Sequence, residues 1–156
     1  MNIAGFWEIL VAGIASIILG WAWYSPALFG GAWNRMSGMT PEMMEKGKRR
    51  MPLNVSLALL ASMLVAWVMS YIGVLLGVYD WFGALELGFW CWLGFVAPTM
   101  LGMVLWEQKP FRYYAIVAGY WLVSFVVMAL ILVGGAHAFF LGGQDAGTAA
   151  VPTAVE

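Results

Sequence analysis

Charge is what this chain has least of. Only 10% of its 156 residues are Asp, Glu, Lys or Arg, against roughly 25% in a soluble domain. Hydrophobic residues make up 63%, and the mean hydropathy is +0.87. That balance excludes an ordinary soluble domain and places the chain in a membrane. Cysteine is nearly absent as well. Cys91 stands alone inside an apolar run, which leaves no disulfide framework and no C-x-x-C redox pair and makes it a small core side chain. No Lys or Arg precedes Arg35, so there is no basic region of the kind that opens a cleaved signal peptide, and the first apolar run is expected to stay in the mature protein. Nucleophile elbow, phosphate loop, H-E-x-x-H and clustered Cys and His are all missing. No catalysis, cofactor or metal site is therefore expected.

What is present is a set of long uncharged runs. Residues 9–34, 51–79, 87–106 and 113–136 contain no Asp, Glu, Lys, Arg or His. Each reaches the roughly 20 residues that cross about 30 Å of hydrocarbon at 1.5 Å per residue. The expected fold class is an all-α integral membrane protein, a four-helix transmembrane bundle. Its spans are placed at about 5–25, 53–78, 84–106 and 111–133. They form one membrane domain over residues 1–141, followed by a disordered tail over 142–156 rich in Gly, Ala, Thr and Gln.

The few charges orient this bundle. Arg35, Lys46, Lys48, Arg49 and Arg50 fall between spans 1 and 2, and Lys109 and Arg112 between spans 3 and 4. Every basic residue thus lies on one side, and the positive-inside rule makes that side cytoplasmic, with the N- and C-termini outside. A net charge of -1 with basic residues set beside membrane spans gives no nucleic-acid face. The natural partner of those cations is the lipid bilayer.

Span 1 ends in the run from Gly20 to Trp33, where a proline and five aromatic rings arrive before the next charge. Such rings settle at the headgroup level. The run is expected to turn at Pro26 and lie along the membrane surface as a lid. Thr40-Pro41-Glu42 then reads as the start of a short interfacial helix that ends at Gly47. In span 2, Ala58, Ser62, Ala66 and Ser70 repeat at four-residue spacing. A stripe of small side chains lets helices approach closely, either within the chain or across a homo-oligomer interface. In span 3, Pro98 removes a backbone donor and should kink the helix, with Thr99 the nearest hydroxyl to satisfy a freed carbonyl.

Ionisable groups within membranes are expensive and so become candidates for function. Glu8, Glu86 and His137 could gather at the outer face as a proton relay or cation site. The plainer reading leaves each in interfacial water beside its own helix end. On the inner face, Glu107 closes span 3 just ahead of Lys109.

The run Trp23-Tyr24-Ser25-Pro26, Phe29-Gly30 and Trp33 resembles the W-Y-S-P-x-x-F-G-x-x-W signature of a bacterial membrane family labelled domain of unknown function 1761. Gly94-Phe95-Val96, Glu107 and Gly119-Tyr120 also follow that family's pattern in order and spacing. The resemblance covers roughly residues 1–141. It implies a four-helix protein of the bacterial cytoplasmic (inner) membrane with no assigned activity. It also draws attention to an inner-face cluster of Trp23, Tyr24, Ser25, Pro26, Phe29, Trp33, Glu107 and Tyr120. The expected role is non-catalytic packing or assembly, in a homo-oligomer or a larger membrane complex. The alternative is a small transporter or ion-conducting oligomer that uses its membrane-edge carboxylates.

Overall fold

The computed structural model describes residues 4–148, with side chains described as far as residue 135. Regular structure among these residues is entirely helical. Helix α1 spans Phe6–Trp23, α2 Gly30–Ser37, α3 Pro41–Arg49 and α4 Met51–Leu75. Helix α5 covers Trp81–Leu105 and α6 covers Phe111–Thr148. Four of them, α1, α4, α5 and α6, are long and apolar enough to cross a membrane. In hydrocarbon a helix satisfies its own backbone, which is why such apolar runs take this form. The protein is an all-α, four-helix transmembrane bundle.

The chain reverses at each connection, so the bundle has two distinct ends. At one end the Ala4 N–H donates to Ser70 Oγ at 2.7 Å, and Trp81 lies over Gly134. At the other end the Trp23 indole reaches α6 and Lys109 reaches α2. All seven Lys and Arg belong to the second end, called the basic end below.

The central member is α6. Within its membrane-crossing window 56% of residues are buried, against 17% for α1, 28% for α4 and 22% for α5. Both α1 and α5 pack along α6, and α4 packs chiefly on α1. The shared core includes Met69, Leu87, Cys91, Phe125, Met128 and Leu132. Glycine sets the closest approach. A Cβ at Gly88 of α5 would stand 2.8 Å from Val126 Cα of α6, so the two backbones touch there without a side chain between them. By contrast α4 and α5 meet sparsely, and grooves run between them.

The sequence left two readings open for the small-residue stripe on α4, and two other local features differ from expectation. The stripe on α4 is consumed inside the chain: Ser62, Ala66 and Ser70 are buried and only Ala58 stays exposed. Small side chains that admit a neighbouring helix of the same chain are covered by it. Helix α6 runs through Gly134 and Gly135 instead of ending at 133, and its backbone stays helical to Thr148, across the start of the 142–156 segment; residues 149–156 lie outside the described residues. Glycine costs about 1 kcal/mol in a helix, but here the missing side chains make room for the Trp81 ring and for Glu8 Cγ. Finally α3 passes Gly47 and ends at Arg49, with Arg50 as the only residue between it and α4.

The start of α3 follows the expected chemistry. Thr40 Oγ1 accepts from the Met43 N–H at 3.3 Å and Pro41 opens the helix. The Thr40 hydroxyl also holds the Glu42 carboxyl below the usual carboxylate range. Near Pro98 the α5 backbone widens into a π-turn over Trp92–Val96, a common accommodation where the regular ladder is broken. The Thr99 hydroxyl lies 2.6 Å from the Phe95 carbonyl and 3.0 Å from that of Val96, and Tyr114 Oη donates to the Ala97 carbonyl at 3.1 Å. These bonds give the distorted stretch the polar partners that lipid cannot supply.

Candidate functional site

The corner after α1 is built by its own backbone. Pro26, with its fixed φ, occupies the second position of a turn in which the Leu28 N–H donates to the Ser25 carbonyl at 3.1 Å. The Gly30 N–H donates to the same carbonyl at 3.0 Å, and the Phe29 N–H returns to Trp23 O at 3.1 Å. A side chain on Gly30 would collide with the carbonyl oxygens of Tyr24 and Ser25. Gly30 is therefore required by close approach, not by an unusual φ.

The rings then fasten this corner to α6. Trp23 Nε1 donates to the Ile116 carbonyl at 3.0 Å, and Gly119 leaves space for the Trp23 ring. Phe29 packs on Trp23 with centroids 4.7 Å apart. Tyr24 lies between Trp33, at 5.3 Å, and Tyr120, at 5.5 Å. From the other side of the bundle Trp92 Nε1 of α5 donates to the Ala118 carbonyl at 2.8 Å. Two indoles from two helices thus anchor on α6 carbonyls two residues apart, using the lone pair left free by the helix ladder.

Deeper in the bundle Tyr120 Oη donates to the Ser16 carbonyl at 3.2 Å, and Ser16 Oγ lies 2.6 Å from Ser124 Oγ. Both serines are fully buried. Spacing along the chain gave no hint of this pair, because 108 residues separate the partners. Interhelical hydroxyl bonds of this kind average about 0.6 kcal/mol and reach about 1.7 kcal/mol in membranes. A double-mutant cycle of Ser16→Ala and Ser124→Ala is expected to return a coupling energy in that range, read from unfolding in mixed micelles. Strictly additive single effects would show that the bond contributes nothing.

The structure thus brings together Trp23, Tyr24, Phe29, Trp33 and Tyr120, with Ser25 and Pro26 forming the turn beneath them. Glu107 does not join. It is exposed, and its carboxylate makes no bond among the described residues. The link that ties this region together comes from Lys109, which sequence reasoning passed over. Its Nζ donates to the Ser37 carbonyl at 2.8 Å, closing the C-terminal end of α2, and lies 5.6 Å from the Tyr113 ring centroid. A cation at a helix C-terminus is the arrangement the helix dipole favours.

At the opposite end, Glu8 packs on Gly5 and Gly135. Asp80 caps α5 through the Gly83 N–H at 2.8 Å. Glu86 lines a groove between α4 and α5, beside Ile72 and Trp90. The side chain of His137 lies outside the described residues. The described carboxylates at this end thus hold three separate positions, and no group of three His, Cys, Asp or Glu that could hold a metal occurs among the described residues.

Chemically, the basic-end cluster is a set of ring contacts and bonds to carbonyls, with no nucleophile beside a base. A family model described as Protein of unknown function (DUF1761) matches residues 7–133. No curated protein and no solved structure matches the chain.

Proposed function

The chain belongs to this family, whose description assigns no activity, and from that premise we propose that it is a non-catalytic assembly protein forming a homo-oligomer within the membrane. The observation that supports this reading is a groove of about 600 Å³ at the basic end, between α1 and α4. Its lining includes the small residues Gly20, Ser25 and Ala58, and also Trp21, which is 66% exposed. Small side chains in a groove admit another helix at close range. A two-fold interface pairs one patch with itself, and this patch carries both a hollow and a projecting ring. On the charge asymmetry the basic end faces the cytoplasm and both termini lie outside, in the multi-pass setting of a bacterial inner membrane.

The test is subunit counting by single-molecule photobleaching in liposomes. The native protein is expected to show two or more subunits per particle, and Ala58→Trp, a change at an exposed position that fills the groove, is expected to give single subunits. Single subunits for the native protein at every protein-to-lipid ratio, with no co-purifying partner, would overturn the proposal. A small transporter or ion-conducting oligomer is the second reading, and Glu86 on its groove is the observation in its favour. It requires a flux across vesicles that Glu86→Gln abolishes.

A further inference from the structure

The sparse contact between α4 and α5 leaves two hollows toward the end opposite the basic one. One, of about 330 Å³, is lined by Leu76, Glu86 and Trp90 among others. The next, of about 350 Å³, is lined only by apolar side chains, including Leu64, Val68, Met69 and Phe125. They share Ile72, Cys91 and Phe95, so the two hollows adjoin along the α4–α5 seam, called one groove below. By helical rise Glu86 sits about 7.5 Å into α5 from Trp81, and Phe95 about 14 Å deeper still.

Glu86 is unusual in this setting. The N-cap of α5 is already filled by Asp80, and Glu86, the sixth residue of the helix, lies beyond the first turn where the helix dipole favours a carboxylate. Among the described residues nothing bonds to its carboxylate, and every Lys and Arg belongs to the far end of the bundle. A carboxylate in a membrane-crossing helix, at the head of a groove and with no Lys or Arg of the chain at its end of the bundle, can be matched from outside. Its neighbours fit such a match. Trp90 is 62% exposed and Phe95 67%, and both offer ring faces that attract cations.

We propose that this groove binds an amphiphilic cation, with the cationic head at Glu86 and Trp90 and the apolar body laid along Phe95, Met69 and Leu64. The carboxylate selects the sign of the head, because an anionic amphiphile meets like charge and a neutral one leaves the carboxylate unmatched. The apolar part of the groove then holds the body by removing its surface from competing contacts. The same chemistry is met by a delocalised lipophilic cation from solution and by an amine-bearing lipid of the bilayer. This site is separate from the α1–α4 groove, and it stands whether or not the chain assembles.

The test is equilibrium dialysis of tetraphenylphosphonium against the full-length protein in a neutral detergent, with neutral triphenylphosphine oxide as the comparison. Saturable binding is expected for the cation and none for the neutral compound. Glu86→Gln is expected to weaken binding by about tenfold or more, in the range seen when one partner of a close charge pair is removed. Trp90→Ala should weaken it several-fold, and Ala58→Trp should leave it unchanged. Both groove residues are exposed, so the variants are expected to unfold at the native temperature. A further variant, Leu64→Trp, narrows the deep part of the groove without touching the carboxylate and should also weaken binding. Native mass spectrometry of protein extracted from membranes distinguishes the sources: retention of phosphatidylethanolamine over phosphatidylglycerol that disappears in Glu86→Gln assigns the lipid. Equal affinity of native protein and Glu86→Gln overturns the proposal, as does saturable binding of neither the cation nor an amine-bearing lipid.

Discussion

Gly88→Leu separates α5 from α6 and is expected to destabilise the bundle by about 3 kcal/mol or more, at the upper end of overpacking effects. The nearest atoms to a new Cβ would be Val126 Cα at 2.8 Å, Val126 N at 2.9 Å and the Phe125 carbonyl carbon at 3.1 Å. All are backbone atoms of a helix, which cannot rotate aside as a side chain does. The helices must move apart, and Leu87, Cys91, Met128 and Ala129 then lose the close packing that buries them. Gly88→Ala should show the same effect with smaller size, since only one methyl group has to be accommodated. Unfolding midpoints in mixed micelles measure both. A native midpoint for Gly88→Leu would show that the close approach is not needed.

Gly30→Ala is the second large effect, of about 2 to 3 kcal/mol, because one methyl group opens a turn that three backbone bonds hold shut. The collision is with the Tyr24 and Ser25 carbonyl oxygens, and relief requires Ser25 to release Leu28 or Gly30. The rings of Trp23, Phe29 and Trp33 depend on that corner for their places over α6. The control is next door. A Cβ at Gly31 meets nothing closer than Arg35 Nη1 at 3.8 Å. Gly31→Ala should therefore be neutral, or stabilising by up to about 1 kcal/mol through helix propensity. If the two alanine variants unfold alike, the corner does not need its glycine. Ring emission offers a second readout, because Gly30→Ala should shift the Trp23 environment and Gly31→Ala should not.

The four spans and the charge asymmetry were legible because bilayer thickness and the cost of buried charge act on composition alone. The turn at Pro26 was legible for a similar reason, since Pro fixes its own φ. What Gly30 and Gly88 do was not, because their demand comes from atoms that another stretch of backbone brings near. The same holds for the stripe Ser62, Ala66 and Ser70. Spacing marks it as a seam, yet only the folded chain shows that these three side chains are covered from within it. Gly134-Gly135 misled in the opposite direction: by local propensity it ends a helix, and packing against Trp81 and Glu8 turned it into a contact. In the candidate site the aromatic members announced themselves by density. Ser124 stayed silent, being an ordinary hydroxyl far along the chain from its partner, and Lys109 looked like one more interfacial cation.

The central place of α6 also sets an order of events in biogenesis. It follows the other three crossing helices in the chain, so it leaves the ribosome after them. Until it arrives, the Trp23 and Trp92 indoles and the Ser16 hydroxyl have no α6 partners. The first three helices are therefore early arrivals held in waiting, inserted one by one but not yet locked. The last one works as a keystone, and a chain released before it is made would present the quality-control machinery with three helices and no arch.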